Sequence, residues 1–311
     1  MKTIAIGVDV GGSHVSCAAC HVYEKKFLPQ TLSEDDLDNQ GTVQEITGVW
    51  VNTIQKTIDK VGLENLKGIG FAMPGPFDYI NGIALFKGNN KKYESLYGLN
   101  VPVAIREKIN LPEGLPIRFI NDATAFAIGE DWLGKASGTE NSLSITLGTG
   151  FGSAFLSNHM PVTSGENVPE MGALYHLPFE NGNADDYFST RGLLGRFENR
   201  SGKKLAGVKE LALLAPNDPA AKDVFADFGR KMGIFLKPWL VKSRIEVLVI
   251  GGNISNAFNL FGDDLRNSLT DQGVDIRIEI SELKETAAMI GSSILADDDY
   301  YGRLKPLLAT M

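Results

Sequence analysis

Apolar positions along the chain fall into short runs that alternate between the period of a strand and that of a helix. Residues 4–32 read as three strands. The first ends in Asp9-Val10-Gly11-Gly12-Ser13, the second covers 15–22, and the third lies around 26–32. The acidic stretch 33–39 reads as a loop or helix approach. Val43, Ile46, Trp50, Ile54, Ile58 and Val61 then recur at three- and four-residue steps, the face of an amphipathic helix that Gly62 ends. Residues 68–73 form the next strand, closed by Pro74-Gly75-Pro76, and 77–100 read as loop. A short helix over 101–109 leads to a strand over 117–120, which runs into Asn121-Asp122 and an Ala-rich helical segment. The order is βββαβαβ.

The pattern then restarts. Residues 142–147 are a strand ending in Gly148-Thr149-Gly150-Phe151-Gly152-Ser153, and 154–156 continue a returning strand. This weak internal repeat of strand, small-residue turn and strand suggests a second domain. Residues 161–202 read as irregular and polar. Helices are expected over 208–214 and 222–241, the latter interrupted by Pro238. Residues 247–250 are a buried strand ending in Gly251-Gly252-Asn253. A strand over 275–280 and a close-packing helix over 287–296 complete the reading.

At 311 residues the chain has room for about two domains. Its 43% hydrophobic and 22% charged residues are ordinary for a globular protein. The apolar runs are strand-length, so no membrane span is expected. The first strand starts at Ile4 with no basic-then-apolar leader pattern, so the expected location is cytoplasmic. A net charge of −8 argues against general nucleic-acid affinity, yet allows an anionic nucleotide to be held by backbone N–H groups. The two cysteines, Cys17 and Cys20, share one strand three residues apart and point to opposite faces, so they cannot pair.

Candidate chemistry concentrates at strand ends. An Asn-Asp pair opening a helix is, by itself, a cap. A carboxylate at a strand end also sits where α/β sheets bind ligands, and it can take a proton from a hydroxyl there. Three strands end in Gly-rich turns: Gly11-Gly12-Ser13, Gly148-Thr149-Gly150 and Gly251-Gly252-Asn253. None has the Walker A or Gly-x-Gly-x-x-Gly spacing. Any one of them alone reads as a tight turn, but such turns present N–H groups without side-chain obstruction, and two of them, one per half, could grip a triphosphate from both sides. Asp9, opposite those turns, is placed to face the metal that accompanies phosphates.

Together these motifs resemble the ROK sugar kinases of the actin, Hsp70 and hexokinase superfamily, over nearly the whole length. Asp9-Val10-Gly11-Gly12-Ser13 is similar to their first phosphate motif, Leu147-Gly148-Thr149-Gly150-Phe151-Gly152 to the second, and Gly251-Gly252-Asn253 to the adenosine-side turn. Gly70 to Pro76 and Asn121-Asp122-Ala123 with Gly129-Glu130 match two more. The resemblance implies an α/β, two-lobed actin-like (ribonuclease H-like) ATPase fold, each lobe a βββαβαβ-type mixed sheet, with the active-site cleft between lobes. The expected division is 1–121 with 297–311 as the smaller lobe and 122–296 as the larger. It also implies ATP and Mg²⁺, with Gly11, Gly12, Ser13, Gly148, Thr149, Gly150, Gly251, Gly252 and Asn253 binding ATP. Asp9 is then the residue on the Mg²⁺ side. Asp122 becomes the general base for a sugar hydroxyl, and the capping role falls to Asn121. Asn121, Asp122, Glu170 and Asp185 are the implied sugar contacts, and a homodimer is the family expectation.

Two departures stand out. Where the family reads Glu-x-Gly-His, this chain has Glu170-Met171-Gly172-Ala173, and the family's cysteine-rich loop is replaced by residues 180–186 without cysteine. No zinc site is therefore expected, and the hydroxyl-reading pocket is reshaped. The leading expectation is an ATP-dependent kinase of a hexose or N-acetylhexosamine. The alternatives are a sugar-binding pseudokinase, or a transcriptional regulator lacking its DNA-binding domain.

Overall fold

The computed structural model describes residues 2–88 and 92–311. The chain divides into two compact units. One comprises Met1–Ser137, His159–Pro161 and Glu285–Met311; the other comprises Gly138–Asn158 and Val162–Lys284. These breaks fall after residues 137 and 284, where the sequence reading placed them after 121 and 296.

In the first unit, β1 (Ile4–Val10), β2 (His14–His21), β3 (Lys26–Asp36), β4 (Leu66–Met73) and β5 (Ile117–Asn121) form one sheet in the order β3-β2-β1-β4-β5. β1 pairs antiparallel with β2 and parallel with β4, and β4 is parallel to β5. Helix α1 (Val43–Val61) opens with a reciprocal capping box between Thr42 and Glu45 and buries Ile46, Trp50, Ile54 and Ile58. Gly62, at φ 80°, leaves the helix in a conformation that a side chain would strain. Helix α2 (Val101–Lys108) precedes β5, and α3 (Asp122–Leu133) follows it directly.

The glycines explain why the helix Thr286–Ser293 belongs to this unit. Gly7 and Gly70 are register partners on β1 and β4. A Cβ on Gly7 would lie 1.7 Å from the Met289 carbonyl oxygen, and one on Gly70 would lie 1.8 Å from that of Ser292. Gly129 of α3 meets Ala287 in the same way, and Gly291 meets Ala125. Backbone packs on backbone, which only glycine permits.

Two expectations in this unit are corrected. Residues 33–36 are not loop: they continue β3, with Ser33 opposite Cys17 and Asp36 opposite His14. Their acidity is absorbed by α1, where Lys56 donates to Asp35 at 2.5 Å and Thr53 at 2.7 Å. Within 77–100, Phe77 and Asp78 pair with Ala84 and Ile83, and Phe77, Tyr79, Phe86, Tyr93 and Leu96 are buried. Among its described residues, that segment is thus anchored in the core by these side chains rather than being loop throughout.

In the second unit, β6 (Asn141–Leu147), β7 (Phe151–Ser157), β8 (Val247–Gly251) and β9 (Arg277–Ile280) lie in the order β7-β6-β8-β9. This repeats the order and directions of β2-β1-β4-β5, so the internal repeat is a repeat of topology. Residues 161–202 carry more helix than expected: α4 (Ala184–Phe188) and α5 (Thr190–Ser201). The apolar side chains that α5 fully buries are Leu193 and Phe197, one step of four, so its periodic signal is thin. After α6 (Val208–Leu214), α7 (Pro219–Lys242) runs through Pro238 without a break. The carbonyl that loses its partner there belongs to Ile234, which is half exposed, so water can take the bond. Helix α8 (Gly262–Thr270) packs against α7 at Gly229 and Gly233.

Candidate active site

The parallel strands β1, β4 and β5 end along one edge of the first sheet, the edge at which open α/β sheets bind ligands. Asp9 lies opposite Ala72, and Asn121 opposite Met73. Two strand spacings therefore separate the backbone at Asp9 from that of β5, about 10 Å. At the end of β5, Asn121 is the N-cap of α3, its Oδ1 accepting the Thr124 N–H at 3.2 Å. The Asp122 carboxylate is thereby relieved of capping. Its Oδ1 accepts from the Ala123 N–H at 2.8 Å and from Asn121 Nδ2 at 3.0 Å. Desolvation raises the Asp122 carboxyl above the usual range; those hydrogen bonds and the Lys92 charge pull it partly back.

Asp9 is pushed up to about 8, first by desolvation and then by the negative charges of Asp122 and Glu285. A cation beside Asp9 would relieve this repulsion, and its carboxylate is the hard oxygen donor that Mg²⁺ takes. The residues fit such an ion held jointly with phosphate oxygens. Among the described residues no group of three or more His, Cys, Asp or Glu is placed to hold a metal by itself.

The first Gly-rich turn is pinned from below. The Gly11 N–H donates to the His14 carbonyl at 3.0 Å, the Tyr93 hydroxyl donates to the Gly11 carbonyl, and Asn39 Nδ2 to the Gly12 carbonyl. The N–H groups of Gly12 and Ser13, both exposed, have no partner among the described residues. They are available to an anion. A Cβ on Gly12 would lie 3.3 Å from Lys92 Nζ, so this lysine stands directly against the turn.

In the second unit the other two turns lie side by side. Gly251 of β8 is opposite Thr146 of β6, and a Cβ on Gly252 would come within 2.4 Å of the Leu147 carbonyl oxygen. The Gly148 carbonyl accepts from the N–H and hydroxyl of Thr190 at 2.8 and 2.9 Å. Asp185 is found at this turn: its Oδ1 accepts the Phe151 N–H at 2.6 Å, and its Oδ2 pairs with Arg191 at 2.5 Å. The Thr149 and Gly150 N–H groups have no partner among the described residues. Glu170 to Ala173 form a tight turn tied to β7, the Leu174 N–H donating to Ser153 Oγ at 2.8 Å. The chain returns to α4 through the Asp185 N–H, which donates to the Tyr175 carbonyl at 2.9 Å. The loop that replaces the cysteines is closed on itself by the Asn183–Asp186 capping box.

The sequence reading missed Lys92, Tyr93, Thr190 and Arg191. Lys92 and Tyr93 lie in a polar stretch with no periodicity, and Tyr93 reaches Gly11 across 82 positions. Thr190 and Arg191 follow Asp185 closely in sequence, but only the fold shows what they touch.

Residues 5–299 match the sequence model of the ROK family. The chain belongs to the ROK family. It is 26% identical over 281 residues to an N-acetyl-D-glucosamine kinase of Photobacterium profundum, covering 83% of this chain and 86% of that one. It is 26% identical over 322 residues to a glucokinase of Thermotoga maritima, covering 94% and 96%. A xylose repressor of Caldicellulosiruptor bescii is 22% identical over 331 residues, covering 94% and 78%. Among solved structures, a ROK family glucokinase from Streptomyces griseus in complex with glucose and AMPPNP superposes with a TM-score of 0.73 at 20% identity, covering 94% and 98%. The fold of this ROK protein is thus the actin-like α/β fold, one mixed sheet per unit. No helix among the described residues is long and apolar enough to cross a membrane.

Proposed function

We propose that this ROK protein is an ATP-dependent sugar kinase that phosphorylates a hydroxyl of a hexose or N-acetylhexosamine, with Asp122 as general base. The observation that carries the reading is the state of Asp122. Its Oδ1 is held by two N–H donors, Asn121 takes over the cap, and desolvation raises its basicity.

In this reading the unpartnered N–H groups of Gly12 and Ser13 are suited to phosphate oxygens, and, within their own unit, so are those of Thr149 and Gly150. Gly251, Gly252 and Asn253 take the adenosine side. Asp122 Oδ2 accepts the proton of the sugar hydroxyl as its oxygen attacks the γ-phosphorus, and the bond to the β-phosphate oxygen breaks. Asp9 is the residue that would hold Mg²⁺, which would supply positive charge to the phosphates. Glu170 is a sugar contact, and Ala173 leaves room where relatives of this family carry a histidine. Asp185, fastened to the second phosphate turn, acts on the nucleotide side.

A coupled assay with ATP across glucose, mannose, fructose, allose, N-acetylglucosamine and N-acetylmannosamine tests the function. Turnover of at least one is expected. A protein that binds one of these sugars but turns none over would be a sensor or regulator instead.

A further inference from the structure

We propose that Lys92 is a further catalytic residue, one that contacts the transferring phosphoryl group. The inference rests on the sugar-kinase reading above. Lys92 lies in the segment between β4 and α2, well away in sequence from every motif that marks the site. The fold nevertheless brings its Nζ to 3.3 Å from where a Gly12 Cβ would stand, beside the free N–H groups of Gly12 and Ser13. Its neighbour Tyr93 fixes the approach: the buried ring donates its hydroxyl to the Gly11 carbonyl, and the Tyr93 N–H donates to the Asn39 carbonyl at 2.7 Å. Asn39 in turn donates to the Gly12 carbonyl. The lysine is therefore attached to the turn by three hydrogen bonds made by residues other than itself.

Lys92 Nζ has no hydrogen-bond or ion-pair partner among the described residues, although its charge acts on Asp122. An ammonium carries three donors, and this one is partly buried, where leaving them unmet is costly. It lies against a turn suited to phosphate, and its charge reaches a carboxylate suited to a hydroxyl proton. A group passing from one to the other would come within its reach.

The step balances without any proton from Lys92. The sugar hydroxyl gives its proton to Asp122, its oxygen bonds to the γ-phosphorus, and the electron pair of the broken bond leaves on the β-phosphate oxygen of ADP. Lys92 stays an ammonium throughout. It offsets negative charge on the γ-phosphoryl oxygens, and it lets three oxygens approach a site already rich in carboxylates.

The test uses the full chain with Lys92→Ala, Lys92→Gln and Lys92→Arg, measuring turnover and, by calorimetry, binding of AMPPNP and ADP. Removing a positioned donor to transition-state charge costs about 10²–10³ in kcat. Loss of this size is expected for Ala and Gln, with Arg recovering at least about tenfold of it. AMPPNP binding should weaken several-fold while ADP binding holds, which also shows that the variants are folded. A kcat within about threefold of wild type, or equal weakening of AMPPNP and ADP, would overturn the proposal. If the wild type phosphorylates no sugar, the kinase reading fails, and the calorimetric comparison still decides whether Lys92 meets the terminal phosphate.

Discussion

Asn121 donates from Nδ2 to Asp122 Oδ1 across 3.0 Å while its own Oδ1 caps α3 through the Thr124 N–H. One side chain starts the helix and aims the neighbouring carboxylate. The Tyr79 hydroxyl, 3.4 Å from Asn121 Nδ2 and 3.1 Å from the Met73 carbonyl it donates to, ties the pair to the end of β4.

Replacing Asn121 separates these duties. Asn121→Ala should lose about 1 kcal/mol of stability with the cap. It should also lower kcat about tenfold, because the base is no longer held. Asn121→Asp keeps the cap but not the donor, so it should restore the melting temperature and not the turnover. Thermal melts alongside steady-state kinetics decide. A change confined to the sugar KM would mean that the amide contacts the sugar instead.

Asp9 links stability to pH. Its carboxyl titrates at about 8 in the folded chain against 3.8 when unfolded, so the folded state binds the proton more tightly. The associated stability is fully present below pH 3.8 and is lost as pH rises through about 8. Asp9→Asn stays neutral throughout. Asp9 is only partly buried as a residue, so screening leaves about 1–2 kcal/mol of the effect. The ligand-free variant should then melt a few degrees above wild type at pH 8.5 and level with it at pH 4, while losing kinase activity. Parallel melting curves at both pH values would contradict this.

Asp185 should act on ATP more than on sugar. Its carboxylate orders the turn that follows Gly148 by accepting the Phe151 N–H, and a Cβ on Gly150 would lie 3.1 Å from the same oxygen. Asp185→Ala leaves that N–H without its partner, at a cost of about 1–2 kcal/mol. The expected result is an ATP KM raised about 5–30-fold, with the sugar KM moving less. The opposite pattern would return Asp185 to the sugar contact that its motif implies.

Much of this was legible in the chain itself. Strand, Gly-rich turn and returning strand recur at Asp9 and at Leu147, and the sheets repeat the same order. The Asn121-Asp122 pair read as cap plus base, and the cap is where Asn121 sits. What stayed hidden shares a physical cause: contacts that no local period encodes. The acidic end of β3 looked like loop because Asp35 is matched by Lys56, which lies 21 positions away on another element. Lys92 follows polar residues with no periodicity, and its neighbour Tyr93 finds its anchor at distant Gly11. Glycines in the middle of β1 and β4 are the signal that could have assigned the Thr286–Ser293 helix to the first unit, since Gly7 and Gly70 clear a path for backbone.

The most direct test of the account is Asp122→Asn. Asparagine preserves shape and still accepts the Ala123 N–H, but it cannot take a proton from a hydroxyl. Single-turnover phosphorylation of the preferred sugar, followed with AMPPNP affinity and melting temperature on the same preparation, isolates that loss. The account predicts a rate lower by about 10²–10⁴-fold, with nucleotide affinity and melting temperature near wild type. A well-folded Asp122→Asn protein that transfers phosphate at close to the wild-type rate would contradict it, leaving Asp122 as the first residue of a helix and nothing more.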